Sequence, residues 1–299
     1  MNQITPESFS DATSKQTFAE HTRRWESFAY VYAVVSRRSR GLSVGINLNP
    51  DTICNFDCVY CQVDKIAKPT PLAVDLRRLR QELGEILTDI VSGKLWAHPR
   101  FAGVDPSLQR INDIAFSGDG EPTTAKGFGE AVDIAVEMKS AFGLDDVKIV
   151  LITNATQLNR PNVGAALQVL DQNQGEVWAK LDAGTEAYYK RVDRSAVPLR
   201  KILGNLLACG KRRPIVVQSM FAKLHDQPVP AEEFDAYADR ITELVDQGCR
   251  IKAVQLYTVA RQPLEPYVSA MDDAALSRLA DQLSQQVPGL TVQWFGASG

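Results

Sequence analysis

Short runs of β-branched and aliphatic residues alternate along the chain with longer segments whose apolar positions recur every three to four residues. The short runs are SVGINLNP (43–50), NDIAFSG (112–118), KIVLITN (148–154), EVWAKLDA (176–183), PIVVQSMFA (214–222) and KAVQLYTV (252–259). Their length and residue types predict buried β-strands. The segments between them read as amphipathic helices. In LRRLRQELGEILTDIVSG, Leu79, Leu83, Ile86, Leu87 and Ile90 fall on one face, and EEFDAYADRITELVDQG ends at Gly248, a helix stop. Strands that alternate with helices imply right-handed βαβ units and a parallel sheet. Six such units are present, followed by a last short strand at TVQWFG (291–296). Six units are too few for a closed eight-stranded barrel, and an open partial barrel or a doubly wound sheet both fit.

Residues 1–25 are polar and weakly patterned, which predicts a flexible arm ahead of one domain over 26–299, since no Pro-, Gly- or Ser-rich linker divides the rest. The chain has 299 residues, is 44% hydrophobic and 23% charged, and carries a net charge of -3. That balance describes an ordinary globular protein and gives no sign of a general polyanion binder. The basic runs at Arg37, Arg38 and Arg40 and at Lys211, Arg212 and Arg213 are short enough to be solvated faces. No apolar stretch approaches the ~20 residues of a membrane span. The first residues include acidic ones and lack the apolar core of a secretory signal, so the expected location is the cytoplasm, where structural disulfides are rare.

Three of the five cysteines stand in CNFDCVYC, as Cys54, Cys58 and Cys61, directly after the first predicted strand. Polar or glycine-rich groups follow the next strands too: SGDGEPTT, TNATQLN and LDAG. Parallel α/β folds gather their sites at these C-terminal strand ends. A closed zinc site wants four ligands, and a fourth would have to come from Cys209, Cys249, His21, His98 or His225, all distant in sequence. An iron–sulfur cubane fits better, because a short loop can supply three thiolates to three of its irons and leave the fourth open. Cys209 and Cys249 sit at helix ends and read as small hydrophobes.

The C-x3-C-x2-C spacing resembles the signature of the radical S-adenosylmethionine (SAM) superfamily. The resemblance implies a [4Fe-4S] cluster on Cys54, Cys58 and Cys61, with SAM chelated at the open iron and cleaved reductively to start hydrogen abstraction. It implies that the Tyr60 backbone meets the adenine. It also implies that Gly118, Asp119, Gly120 and Glu121 form the family's Gly-Gly-Glu element against the methionine ammonium, with Asp119 standing where many members have glycine. Polar groups at the next strand ends, Thr153, Asn154, Lys180 and Asp182, are implied contacts of the SAM ribose and carboxylate. Lys180 and Asp182 are two residues apart and so share a strand face, where a structural ion pair would serve as well. Gln218 and Gln255 interrupt apolar strands, either as barrel-facing groups or as ordinary network members.

VSRRSRGLSVGINLNPDTICNFDCVYCQVDK, ITNATQLNRPNV, WAKLDAGTEAYYKRVDR and VQLYTVARQPLEPY together resemble bacterial proteins related to the wyosine-base tRNA synthases. Those synthases carry further N-terminal cysteines for an auxiliary cluster. Residues 1–53 here hold none, so the resemblance supports the scaffold better than the substrate. What it implies is a partial (β/α)6, TIM-like barrel, a one-electron donor such as flavodoxin or ferredoxin, and an RNA nucleoside as substrate. A peptide- or protein-modifying radical enzyme or activase, and a non-enzymatic iron–sulfur sensor, are the alternatives; peptide-maturing members often extend into cysteine-rich C-terminal segments, and this sequence ends at Gly299 with none. No side chain stands out as a catalytic hydrogen donor.

Overall fold

The computed structural model describes residues 25, 27–36, 40–65 and 72–297. Of the expected arm over 1–25 only Trp25 is among them, buried against His98 and Phe101 with ring centroids 4.7 and 5.7 Å away. Residues 1–24, with His21, lie outside the described residues, as do Arg37 and Arg38 of the first basic run.

Seven strands form the parallel part of one curled sheet: β2 (Gly41–Ile46), β3 (Ile111–Phe116), β4 (Lys148–Thr153), β5 (Gly175–Lys180), β6 (Ile215–Met220), β8 (Ile251–Tyr257) and β10 (Val292–Phe295). An antiparallel strand, β1 (Val31–Ser36), closes the β2 edge. Helices cross over between the parallel strands: α1 (Leu76–Val91), α2 (Phe128–Ala141), α3 (Pro161–Asp171), α4 (Glu186–Val192) with α5 (Leu199–Arg212), α6 (Ala231–Asp246) and α7 (Asp273–Gln286). The expected six units with a short last strand are therefore present as a half-barrel. The edge strand β1 and a two-stranded ribbon, β7 (Ala222–Leu224) with β9 (Val268–Ala270), add to them.

The period-2 pattern of each strand divides its residues between two cores. Leu42, Val44, Ile46, Ile114, Phe116, Ile149, Leu151, Val177, Ile215, Val217, Val254 and Leu256 point outward into the layer shared with the helices. The alternate residues face the concave side, where Ala115, Val150, Trp178 and Val216 form a separate small cluster that plugs the barrel floor. Above the plug the next inward positions of β5, β6, β8 and β10 are polar.

Helix α1 buries the predicted Leu79, Leu83, Ile86, Leu87 and Ile90, and with them Glu82. That carboxylate accepts hydrogen bonds from the backbone N–H groups of Ala29, Tyr30 and Val31 at 2.7–3.2 Å and pairs with Arg78, so it anchors the start of β1. Helix α6 stops just before Gly248, whose φ of +89° suits the left-handed turn that ends a helix. Cys209 and Cys249 are buried in the main core, as expected of small hydrophobes. No helix among the described residues is long and apolar enough to cross a membrane.

Candidate cluster and cofactor site

The chain leaves β2 at Ile46 and wraps the top of the sheet as a loop over residues 47–65, without regular secondary structure, that carries all three clustered thiols. Side-chain bonds hold this loop in place of a helix or strand. Asn47 accepts from the N–H groups of Asn49 and Asp119, each at 3.1 Å, and donates to the Asp119 carboxylate at 2.7 Å. Asn55 donates to Thr156 Oγ1 and accepts from Asn154 Nδ2, both at 2.6 Å. Asp57 and Val59 donate backbone N–H groups to the carbonyls of Asp193 and Val192, at the end of α4.

The glycine-rich element after β3 meets this loop directly. A Cβ at Gly118 would overlap the Asn47 side chain, and one at Gly120 would overlap the Ile53 carbonyl oxygen and come within 2.7 Å of Asn49 Cβ. The two glycines thus permit close approach to the cysteine loop. Asp119, where a glycine is common in the resembled family, uses its carboxylate to fix Asn47.

Cys54, Cys58 and Cys61 are all half-buried and line a cavity of about 300 Å³ on the concave face of the sheet, within the range of small-ligand sites. Burial pushes the Cys54 and Cys58 thiols above their ordinary range, Cys58 furthest. Such thiols ionise readily only against a bound cation. Among the described residues no group of three or more His, Cys, Asp or Glu converges as it would on one metal ion. Thiolates that each meet a different iron of a cluster have no need to converge. His98 packs on Trp25, and His225 stacks on Tyr267 with centroids 4.5 Å apart.

Glu121, Thr153 and Asn154 come together as the sequence suggested, but they bind one another. The buried Glu121 carboxylate accepts from Thr153 Oγ1 at 2.6 Å, from the Asn154 N–H at 2.7 Å, and from Thr123. Burial raises its pKa, and those hydrogen bonds oppose the rise. The Asn154 carboxamide bonds Asn55 and Thr156, and its Nδ2 also donates to Cys54 Sγ at 4.0 Å. Loop lacing is therefore the main work of these side chains, although all three also line the cavity.

Lys180 and Asp182 meet at the hydroxyl of Tyr60. Lys180 Nζ donates to Tyr60 Oη at 3.2 Å and lies 4.8 Å from the ring centroid; Tyr60 donates in turn to Asp182. Asp182 also accepts the Met220 N–H at 2.7 Å. The Tyr60 side chain thus ties the cysteine loop to β5. Asp193, which the sequence did not single out, completes the group, with Oδ1 3.4 Å from both Cys58 Sγ and Tyr60 Oη. Burial and the nearby Asp182 carboxylate push Asp193 well above the usual carboxylate range. Burial alone would lower Lys180, but the surrounding Tyr257, Asp182 and Cys58 override it and hold its pKa above that of an ordinary lysine.

No family model matches the chain. It is 28% identical over 180 residues to a UPF0026 protein of Synechocystis, covering 59% of this chain and 58% of that protein. It is 25% identical over 243 residues to a UPF0026 protein of Methanocaldococcus jannaschii, covering 79% of this chain and 65% of that one. The chain thus spans less than two thirds of the length of these curated relatives. Among solved structures, TYW1 with a lysine–pyruvate adduct bound superposes with a TM-score of 0.54 at 13% identity, over 91% of this chain and 80% of TYW1. At that identity the likeness is one of fold. The resemblance to the radical SAM enzymes around the wyosine synthases thus holds in architecture as well as in motif.

Proposed function

We propose that this chain is a radical SAM enzyme that holds a [4Fe-4S] cluster on Cys54, Cys58 and Cys61. The observation that carries the reading is the arrangement of three half-buried thiols on one loop, facing a cavity that the Gly118–Glu121 turn, packed against the same loop, also lines. Thiol ligands, an enclosed concave face and polar walls fit a cluster with a small polar cofactor beside it. When bound, the reduced cluster supplies an electron that cleaves SAM and so begins hydrogen abstraction from substrate.

The chain's own residues position and enclose. Tyr60, Asp182 and Asp193 fix the loop between Cys58 and Cys61, and Asn154 fixes Asn55 beside Cys54. The Ala115–Val150–Trp178–Val216 plug packs the floor of the cavity with apolar side chains. The half-buried backbone at Gly118, Asp119 and Gly120 is the surface offered to SAM. A one-electron donor such as flavodoxin or ferredoxin is part of this reading, as is a cytoplasmic location.

For substrate, the fold likeness to TYW1 supports a nucleoside in RNA. The lysine–pyruvate chemistry of that neighbour is not carried over. Of the cavity lysines, Lys65 is paired with Asp57 and bonded to the Phe56 carbonyl, and Lys180 is bonded to Tyr60, so both amines are engaged. The test is anaerobic. The protein is reconstituted with iron and sulfide, reduced, and its EPR spectrum recorded with and without SAM, followed by an assay for 5′-deoxyadenosine. A cluster signal that shifts with SAM, and 5′-deoxyadenosine formed, are expected. A protein that takes up zinc and forms no iron cluster would end the proposal.

A further inference from the structure

Four strands place polar side chains at one level of the concave face, running out to Gln293 on the exposed edge strand. Register pairs Lys180 of β5 with Gln218 of β6, Gln218 with Gln255 of β8, and Gln255 with Gln293 of β10. Beneath this belt lies the level of Trp178, Val216 and Ala253; above it Met220, Tyr257 and Phe295 stand at another. The three carboxamides form a head-to-tail ladder. Gln255 Nε2 donates to Gln293 Oε1 at 3.2 Å, and Gln218 Nε2 donates to Gln255 Oε1 at 2.9 Å.

The ladder ends on Gln218 Oε1, which has no hydrogen-bond partner among the described residues although the side chain is 0% exposed. Gln218 lines the same cavity as the thiols. The Lys180 ammonium, at the adjacent register position, attracts the carbonyl end of this amide and repels its NH2, which sets the direction of the ladder. A buried acceptor without a donor carries a desolvation cost that an apolar residue would avoid. Two bonded amides behind it nevertheless hold it in the cavity wall.

Lys180 has three N–H groups, one of which is spent on Tyr60. A cationic donor and an orphaned acceptor therefore stand side by side, about one interstrand spacing of ~4.8 Å apart at the backbone, between Trp178 below and Tyr257 and Phe295 above. We propose that Gln218 is the specificity-determining residue for the ligand that fills this level: a flat heterocycle with a lactam edge, its ring N–H donating to Gln218 Oε1 and its carbonyl accepting from Lys180. Gln255 and Gln293 are positioning residues that hold the acceptor in place. Because Gln218, Gln255 and Gln293 stand on β6, β8 and β10, away from the cysteine loop and the Gly118–Glu121 turn assigned to SAM, this ligand is the substrate of the proposed radical SAM reaction, and the inference rests on that reading.

Inosine and 1-methylinosine, which differ by the lactam N–H, are suitable probes. Their binding to the reconstituted, SAM-loaded protein is measured by equilibrium dialysis, with 5′-deoxyadenosine formation followed in parallel. Wild type is expected to bind inosine at least about tenfold more tightly than the methylated form, the factor set by one buried hydrogen bond. Gln218→Leu should bring that ratio close to one. Gln218→Glu, which keeps an acceptor, should retain part of it and checks that loss in the leucine variant is not misfolding. Equal binding of the two probes, binding of neither, or an unchanged ratio in Gln218→Leu overturns the inference. Absence of SAM cleavage with the discrimination intact would instead overturn the radical SAM reading.

Discussion

Replacing Gly120 with alanine tests how closely the glycine turn and the cysteine loop are fitted. The added Cβ would approach the Ile53 carbonyl oxygen closer than the 3.0 Å that real Cβ atoms keep, and would sit 2.7 and 2.8 Å from Asn49 Cβ and Cγ. Ile53 is the residue before Cys54, and its carbonyl is backbone, so no rotamer change relieves the clash. One of the two loops must shift, at a cost of about 1–3 kcal/mol. Gly129, in the first turn of α2, has nothing within 4 Å of its would-be Cβ. Gly129→Ala should therefore gain up to about 0.5–1 kcal/mol from helix propensity. Chemical denaturation of both metal-free variants measures these differences, and iron content after reconstitution reports on the loop. The expected outcome is opposite signs in stability, with iron retention impaired only in Gly120→Ala. If Gly120→Ala matched wild type in both stability and iron content, the two loops would not be in the contact described here, and the account of Gly120 as a close-approach glycine would fall.

Replacing any one of Cys54, Cys58 or Cys61 with alanine should abolish cluster retention and SAM cleavage together, read by iron analysis and 5′-deoxyadenosine release; full activity in one such variant refutes the assignment. Glu176 at the barrel floor is raised by burial, but hydrogen bonds from Lys148, Lys252 and Trp178 override this and bring it down to about 2 from 4.5. A depressed acid stabilises the fold above its unfolded pKa and loses that stabilisation as pH falls through the folded one. After discounting for the half-exposed lysines, about 1–2 kcal/mol should disappear between roughly pH 4.5 and 2. In Glu176→Gln this limb of the pH–stability curve should flatten. Finally, borohydride reduction in the presence of pyruvate at neutral pH should leave Lys180 unmodified by mass spectrometry. A trapped adduct there would show that the lysine is a free amine after all.

The parallel strands were legible because their alternation serves two faces at once. In β4, for example, Ile149 and Leu151 face the helices while Val150 faces the plug, giving the continuous apolar run that marks a buried parallel strand. That the three thiols share one loop at the rim was legible from their spacing together with the strand before them. Strand β1 was not singled out, although YVYAVV is as apolar as its neighbours. Its start is held by three backbone bonds to Glu82, some fifty residues away, and such a partner leaves no local signal. Asp193 was invisible for the same reason: in YYKRVDRS it is one charge among several, and only the fold brings it to Cys58, 135 residues earlier. Thr153 and Asn154 were placed correctly at the strand end, but what their side chains bond to depends on Glu121, and strand position alone does not decide it.

These long-range partners bear on how the site comes into being. The loop over residues 47–65 has no regular secondary structure, and side-chain bonds reach it from Asp119, Thr156, Asp193 and Ser195, which belong to segments following β3, β4 and β5. The thiols can therefore be in place only once the sheet has assembled from β2 to β5 and α4 has docked. Burial keeps Cys54 and Cys58 protonated in the metal-free protein, so iron binding must expel those protons from a site that is already built. A preformed loop lowers the ordering cost of binding a cluster. The same preformed loop, laced to the glycine turn and to Lys180 through Tyr60, keeps the cofactor side of the cavity rigid and leaves the orphaned Gln218 acceptor on the adjacent strand to select what enters.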